Sequence, residues 1–428
     1  MPNSRYKPQP VFDTLKETII FYKTLSQAEQ PGKPIKDWLK HCFSQTNIKL
    51  PSYTINDYHV VLQFLYSYRG STDTFNAYRR EMERLVQWNW FVHETSLLKN
   101  KRDTIETFIQ FCAKPYKRWI GTKTVARFKI IEGEKKPNPE WHPFDATLSK
   151  CDVKNGQTPT KNNYRYSQKA CKATFAILGS FYQYCLQEEL IAANPVTLIR
   201  QKSKFIQKEV STPLIRRLSD EQWQTVLQCA KEKAVKNNYY ERDVFILSCL
   251  YGMYLRISEL AASQRWTPTM GDFHQDSDNN WWFKTVGKGN KARNIAVSQA
   301  MMDALKRYRL SYLDLPPYPA PNETIPLIGH RKNANKPMTD SRTLRRIVQR
   351  WFDEAVSILE EQSPQSAQAL ASATVHWLRH TGISNDVKIR PREHVRDDAG
   401  HSSSAITDKY IDVELIERAK SARKKEIG

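Results

Sequence analysis

Seven cysteines are scattered over 428 residues, with no Cys-x-x-Cys pair among them and an odd one always left over. That spacing argues against a disulfide framework and against a cysteine-rich zinc site. The first residues, Met1-Pro2-Asn3-Ser4-Arg5-Tyr6, hold no apolar stretch of the kind a secretory signal needs. The longest apolar run, 244–255, is too short for a membrane span and contains Ser248 and Gly252. Also missing are an internal repeat, a Gly-x-x-x-x-Gly-Lys-Ser/Thr nucleotide loop and a carboxylate cluster of the two-metal nuclease type. A reducing cytoplasmic setting is the simplest expectation, with no membrane partner.

Acidic residues are outnumbered, 45 against 66 lysines and arginines, which leaves a formal charge of +21. A surface that positive attracts polyanions, nucleic acid foremost, although charge alone does not separate DNA from RNA or an acidic membrane. With 40% hydrophobic and 26% charged residues, the composition is that of a folding chain long enough for two or three domains.

Residues 54–195 read as mainly helical. Phe75, Tyr78, Met82, Leu85 and Val86 recur at helical spacing, with Arg79, Arg80 and Arg84 on the other side. Thr174, Ile177, Leu178, Phe181 and Cys185 form a second stripe, and Asn194-Pro195 closes that segment. Between them, 114–163 is rich in glycine, proline and lysine, and reads as an insertion or a long, partly ordered loop. It is either a solvated connector or a DNA-contacting arm carrying Lys135 and Lys136.

The basic stretch 201–213 reads as a linker between an N-terminal part (an extension over 1–53, a helical domain over 54–200) and a second domain over 214–428. Ser219-Asp220-Glu221-Gln222 fits a helix capping box. Helical patterns over 220–233 and 240–264 follow. A hairpin comes next, with strands at 281–286 and 294–297 around Gly287-Lys288-Gly289-Asn290. From 339 onward Leu344, Ile347, Val348, Trp351, Phe352, Ala355 and Val356 share a helical face, with Arg342, Arg345, Arg346 and Arg350 opposite or beside it. The fold class is therefore mainly α with a small antiparallel sheet, an α+β arrangement.

Four segments of the second domain stand out: Leu255-Arg256-Ile257-Ser258-Glu259-Leu260, the hairpin from Gly287 to Arg293, His376-Trp377-Leu378-Arg379-His380, and Gly400-His401 followed by Tyr410. Singly, each has an ordinary structural explanation: a surface ion pair, a turn, a helix-surface histidine, one tyrosine among 20. Together, in order and in local spacing, they resemble the tyrosine recombinase (phage integrase) family. That family pairs an Arg-Ile-Ser-Glu-Leu helix with a Gly-Lys-Gly hairpin, a His-x-x-Arg-His helix, and a Gly-His that precedes a tyrosine. The resemblance covers the chain from about residue 218 onward. More loosely, 175–195 is similar to the last helix of the family's core-binding domain, whose compact form the 114–163 insertion departs from.

The resemblance implies a helical N-terminal DNA-binding domain, a catalytic domain, and Tyr410 as nucleophile. A phenol with pKa near 10 is a weak nucleophile at neutral pH, and His376 matches the family's base. Arg256 and Arg379 match the pair that holds the non-bridging phosphate oxygens, a task suited to a charge that never titrates away. His401 matches a further donor to those oxygens, and Lys288 the general acid for the leaving 5′-oxygen. Glu259 matches a supporting acid; for His380 a structural and a catalytic role both stay open. Arg79, Arg80, Arg84, Lys169, Lys172, Lys291, Arg293, Arg342, Arg345 and Arg346 are candidate DNA contacts.

The implied activity is site-specific recombination (integration or excision for a mobile element) through a 3′-phosphotyrosine, without metal or cofactor. The implied partners are double-stranded DNA and a homotetramer joined by the tail after Val413, in a nucleoid-associated bacterial protein. The alternatives are a type IB topoisomerase or hairpin-resolving strand transferase, and a non-catalytic DNA-binding protein of the same fold.

Overall fold

A computed structural model describes residues 6–44, 46, 48–197, 199, 216–287, 289–401, 403, 407, 422 and 423. The chain divides into two compact units, Met1–Val210 and Ser211–Gly428. The linker expected at 201–213 lies outside the described residues.

The first unit is built on helices α1 (Leu15–Ser26), α2 (Gly32–Cys42), α3 (Thr54–Ser67), α4 (Thr72–Trp88), α5 (Arg102–Ala113), α6 (Lys150–Lys154) and α7 (Gln168–Gln187). Ser71 starts α4 by accepting from the Thr74 amide, and Ser167 starts α7 by accepting from Ala170. The stripes expected on α4 and α7 face the core, where Phe64 of α3 meets Phe181 of α7 edge to face at 5.1 Å.

Two stretches are more integrated than expected. Within 1–53, the described residues Tyr6, Val11, Phe12, Ile35 and Leu39 are buried in the same core as α4 and α7. Glu83 of α4 is fully buried; its carboxylate accepts from the amides of Val11 at 2.6 Å and Phe12 at 3.3 Å and pairs with Arg127.

The second stretch, 114–163, holds short strands: β1 (Ile120–Gly121) pairs in parallel with β4 (Phe144–Asp145), and β2 (Phe128–Ile131) forms a hairpin with β3 (Glu134–Pro137). Trp119 and Phe144 are fully buried, which anchors this stretch where composition alone suggested a loop. Lys135 and Lys136, weighed as a DNA arm, are instead paired with Asp13 at 2.5 Å and Glu132 at 3.1 Å.

The second unit begins with α8 (Asp220–Lys236), where Ser219 and Gln222 form the reciprocal capping box. The buried helix α9 (Glu241–Gly252) is covered on most sides, with Phe245, Ile246, Leu247, Cys249 and Leu250 all buried. The helix expected to continue through 264 breaks here. Tyr254 takes a left-handed backbone (φ 51°), and a new one-turn helix, α10 (Ile257–Leu260), starts at Arg256.

A three-stranded antiparallel sheet follows, in the order β5 (Phe273–Gln275), β6 (Trp281–Val286), β7 (Ala292–Ala296), with buried Phe283 opposite buried Ile295. Then come α11 (Gln299–Tyr308), the hairpin β8 (Gly329–His330) and β9 (Asn333–Pro337), α12 (Ser341–Gln362), α13 (Pro364–Ala371), α14 (His376–Asp386) and α15 (Arg392–Ala399).

On α12 the expected apolar face is buried, and the Trp351 indole donates to Asp243 of α9 at 3.1 Å. Trp351→Ala removes that packing and one donor of the Asp243 carboxylate, which keeps Arg350 and Arg242 beside it. A loss of about 3–5 kcal/mol is expected in urea unfolding of the second unit; a loss below about 1 kcal/mol would contradict this packing account.

Candidate active site

Arg256 is the N-cap of α10, so its backbone N–H is unpaired by the helix and donates to Glu259 Oε2 at 2.8 Å. Its guanidinium donates to Glu259 Oε1 at 2.9 Å. The same carboxylate, 2% exposed, takes both prongs of Arg293 from β7, each at 2.9 Å. Burial by itself would raise the Glu259 pKa; the bonds and charge from Arg293 and Arg256 outweigh it and hold the group ionised. Arg293 Nε also donates to the carbonyl of Asp398 at 2.9 Å, which ties the sheet to the end of α15.

His376, Arg379 and His380 lie on the first turns of α14. One Arg379 prong donates to the carbonyl of Tyr254, and Nη2 donates to the carbonyl of Ala399 at 2.6 Å. Helix α15 ends at Gly400 in a left-handed conformation (φ 64°), and the His401 amide closes the turn onto the Arg396 carbonyl at 3.1 Å. The His401 ring is hydrogen-bonded through Nδ1 to Thr407 at 2.8 Å. The His376 and His380 rings meet edge to face at 4.4 Å.

Charge confirms the convergence. Burial first, then Arg379 and Arg256, lower the His376 pKa. Burial and the same two arginines, with Arg293, push His401 down to about 4. Burial, His376, Arg379 and His401 push His380 to about 4 as well. Two guanidinium groups and the imidazoles of His376 and His401 thus share one positively charged site in which the imidazoles stay neutral. Such an arrangement is chemically able to bind a tetrahedral anion and to exchange a proton with it.

Of the expected catalytic set, Arg256, His376, Arg379 and His401 are brought together, with Glu259 and His380 against them. Lys288 and Tyr410 lie outside the described residues. Gly287, at the root of the hairpin, sits so close to the pair below it that an added Cβ would lie 2.9 Å from Arg293 and 3.1 Å from Glu259. Among the described residues no cluster of three histidine, cysteine or acidic side chains could hold a metal, and no helix is long and apolar enough to cross a membrane.

The candidate DNA contacts divide. Lys169, Lys172, Lys291, Arg342, Arg345, Arg346 and Arg80 are exposed. Arg79 donates to the Asp13 carbonyl and, at 2.9 Å, to Asn76. Arg84 and Arg293 depart from the expectation: each is committed inside its unit. Arg84 holds Glu81 and the Pro143 carbonyl, both at 2.8 Å, and covers the Phe144 ring. Arg293 clamps Glu259. That role, like those of Asp398 and Tyr254, has no signal in the sequence, because each depends on elements meeting across long stretches of chain, 34 residues for Arg293–Glu259 and 105 for Arg293–Asp398.

No protein-family model matches the chain. By sequence it is similar to tyrosine recombinase XerC of Chlorobaculum parvum, 26% identical over 255 residues, which are 56% of this chain and 67% of the relative. It is also similar to tyrosine recombinase XerC of Pediococcus pentosaceus, 24% identical over 258 residues, 58% of this chain and 72% of the relative. Among solved structures, the XerH site-specific recombinase in a post-cleavage complex with a palindromic difH substrate superposes with a TM-score of 0.52 at 14% identity. It covers 98% of this chain and 100% of that one, which shows a shared fold.

The depressed imidazoles carry a pH signature. His380 and His401 bind a proton less readily in the folded chain, at about 4, than in the unfolded chain, at about 6.5. Their contribution to stability is therefore complete above about pH 6.5 and lost as pH falls toward about 4. Without DNA, NMR titration of the two ring Cε1 protons is expected to show both midpoints well below 6, and Tm is expected to drop between pH 7 and 5. Midpoints near 6.5 would refute the crowding of positive charge described above.

Proposed function

We propose that this chain, a site-specific recombinase of the tyrosine kind, cuts and rejoins DNA through a covalent 3′-phosphotyrosine formed on Tyr410. The observation that carries this reading is the convergence of Arg256, Arg379, His376 and His401 from three separate stretches of sequence onto one anion-binding site. In the proposed step the Tyr410 oxygen attacks the scissile phosphorus while the bond to the 5′-oxygen breaks. The phenol proton passes to His376, whose imidazole burial, and then the neighbouring arginines, keep neutral and able to accept it. Arg256 and Arg379 hold the non-bridging oxygens as negative charge builds there, with His401 donating beside them. Lys288 protonates the 5′-oxygen as it leaves. The phosphotyrosine retains the bond energy, so the 5′-hydroxyl of another strand reverses the step without a cofactor.

The partner is duplex DNA. In this reading residues 54–200 form the core-binding domain and 214–428 the catalytic domain, and the tail after Val413 joins protomers into a tetramer. The natural task is integration or excision of a mobile element by a cytoplasmic, nucleoid-associated enzyme. The Lys and Arg excess supports DNA clamping, as do the exposed Arg342, Arg345 and Arg346 at the start of α12.

Incubation with nicked suicide duplexes carrying the cognate site is expected to trap a protein–DNA adduct with the wild-type chain and none with Tyr410→Phe. An adduct that survives this substitution would sink the assignment, and supercoil relaxation without a second site would identify a topoisomerase instead. Affinity for duplex DNA is expected to fall about a thousandfold or more between 50 and 200 mM salt, as for proteins neutralising several phosphates. A nearly flat salt profile in fluorescence anisotropy would contradict an extensive clamp.

A further inference from the structure

Arg379 is held between two carbonyls, those of Tyr254 and Ala399, and both belong to tight turns. Tyr254 carries a left-handed backbone that side chains other than glycine rarely adopt, and Ala399 precedes the left-handed Gly400. One of these turns leads into Arg256 and the other into His401. A strut outside the site links them. Arg390, in the connection between α14 and α15, donates from Nη1 to the Tyr254 hydroxyl at 3.0 Å and from Nη2 to Asp398 at 2.6 Å.

The strut is braced at each end. The Tyr254 hydroxyl donates to Asp386, which also takes Arg390 Nη1 at 3.3 Å. The other oxygen of Asp398 takes the Ala296 amide of β7 at 3.1 Å, while its carbonyl takes Arg293. Tyr254 and Asp398 are buried, 1% and 5% exposed. Nothing in the strand-transfer chemistry calls for a tyrosine, an arginine and two aspartates here. Their one shared effect is to tie the residue on one side of Arg379 to the residue next to the other.

We infer that Arg390, acting through Tyr254 and Asp398, is a positioning residue for strand cleavage: it sets the gap between the two carbonyls that aim the Arg379 guanidinium. Among the described residues its guanidinium bonds to Tyr254, Asp386 and Asp398. The inference rests on the recombinase reading above.

Single-turnover cleavage of a suicide duplex by the full chain separates the limiting rate from the half-saturating protein concentration. Tyr254→Phe and Arg390→Met are each expected to lower the limiting rate about ten- to a hundredfold, the effect of a misplacement on the order of 1 Å, with half-saturation unchanged. Because both break one strut, the double variant should be no slower than the slower single one. Arg390→Lys, which keeps the charge but cannot reach both partners, should not rescue the rate.

Limiting rates within about twofold of wild type, losses that multiply in the double variant, or losses confined to half-saturation each overturn the inference while leaving the adduct chemistry standing. If the wild-type chain forms no adduct, the recombinase reading and this inference fall together. If Arg390→Met does not fold, the rate of Tyr254→Phe, which removes a single hydroxyl, decides.

Discussion

Glu259 is a buried carboxylate caught between two guanidinium groups, and the geometry of the site depends on it. Desolvating one acid costs several kcal/mol, a cost offset here only because three charge-assisted hydrogen bonds converge on it. Through Arg256 it fixes the start of α10; through Arg293 it reaches the last turn of α15, next to His401. Both guanidinium groups are thus held by one buried carboxylate. That is the condition under which electrostatic stabilisation of a transition state is most effective, since no reorganisation is needed at the moment of reaction.

Burial, and after it the positive surroundings, sets the protonation of the imidazoles. Desolvation first, then Arg379 and Arg256, lower the pKa of both His376 and His401, with Arg293 adding to His401. A bound phosphate would cancel part of that field and make protonation easier as the substrate seats.

Much of this was legible in the sequence, and the boundary is physical. The Ser219 capping box, the β6–β7 hairpin and the apolar face of α12 are set by local periodicity and turn chemistry, and the structure repeats them. The residue types of the site were legible from motif spacing. What could not be read was non-local. The helix expected over 240–264 stops at Gly252 because Tyr254 is fastened from outside by Asp386 and Arg390, more than a hundred residues away. Arg293, expected to contact DNA from the hairpin, instead clamps Glu259 with both prongs. The 114–163 stretch gained order from Trp119 and Phe144, whose burial no period-two or period-3.6 pattern announced.

Glu83 has a practical meaning for anyone dividing this chain. Its carboxylate has three partners: the amides of Val11 and Phe12 before α1, and the guanidinium of Arg127 from the stretch of short strands. A fragment started at residue 54, where the helical pattern begins, would keep the acid and discard two of its donors. A buried charge would then face an apolar cleft once filled by Tyr6, Val11 and Phe12. The smallest self-sufficient piece of the first unit is therefore larger than its helical pattern suggests, and the leading segment is part of its core rather than an accessory to it.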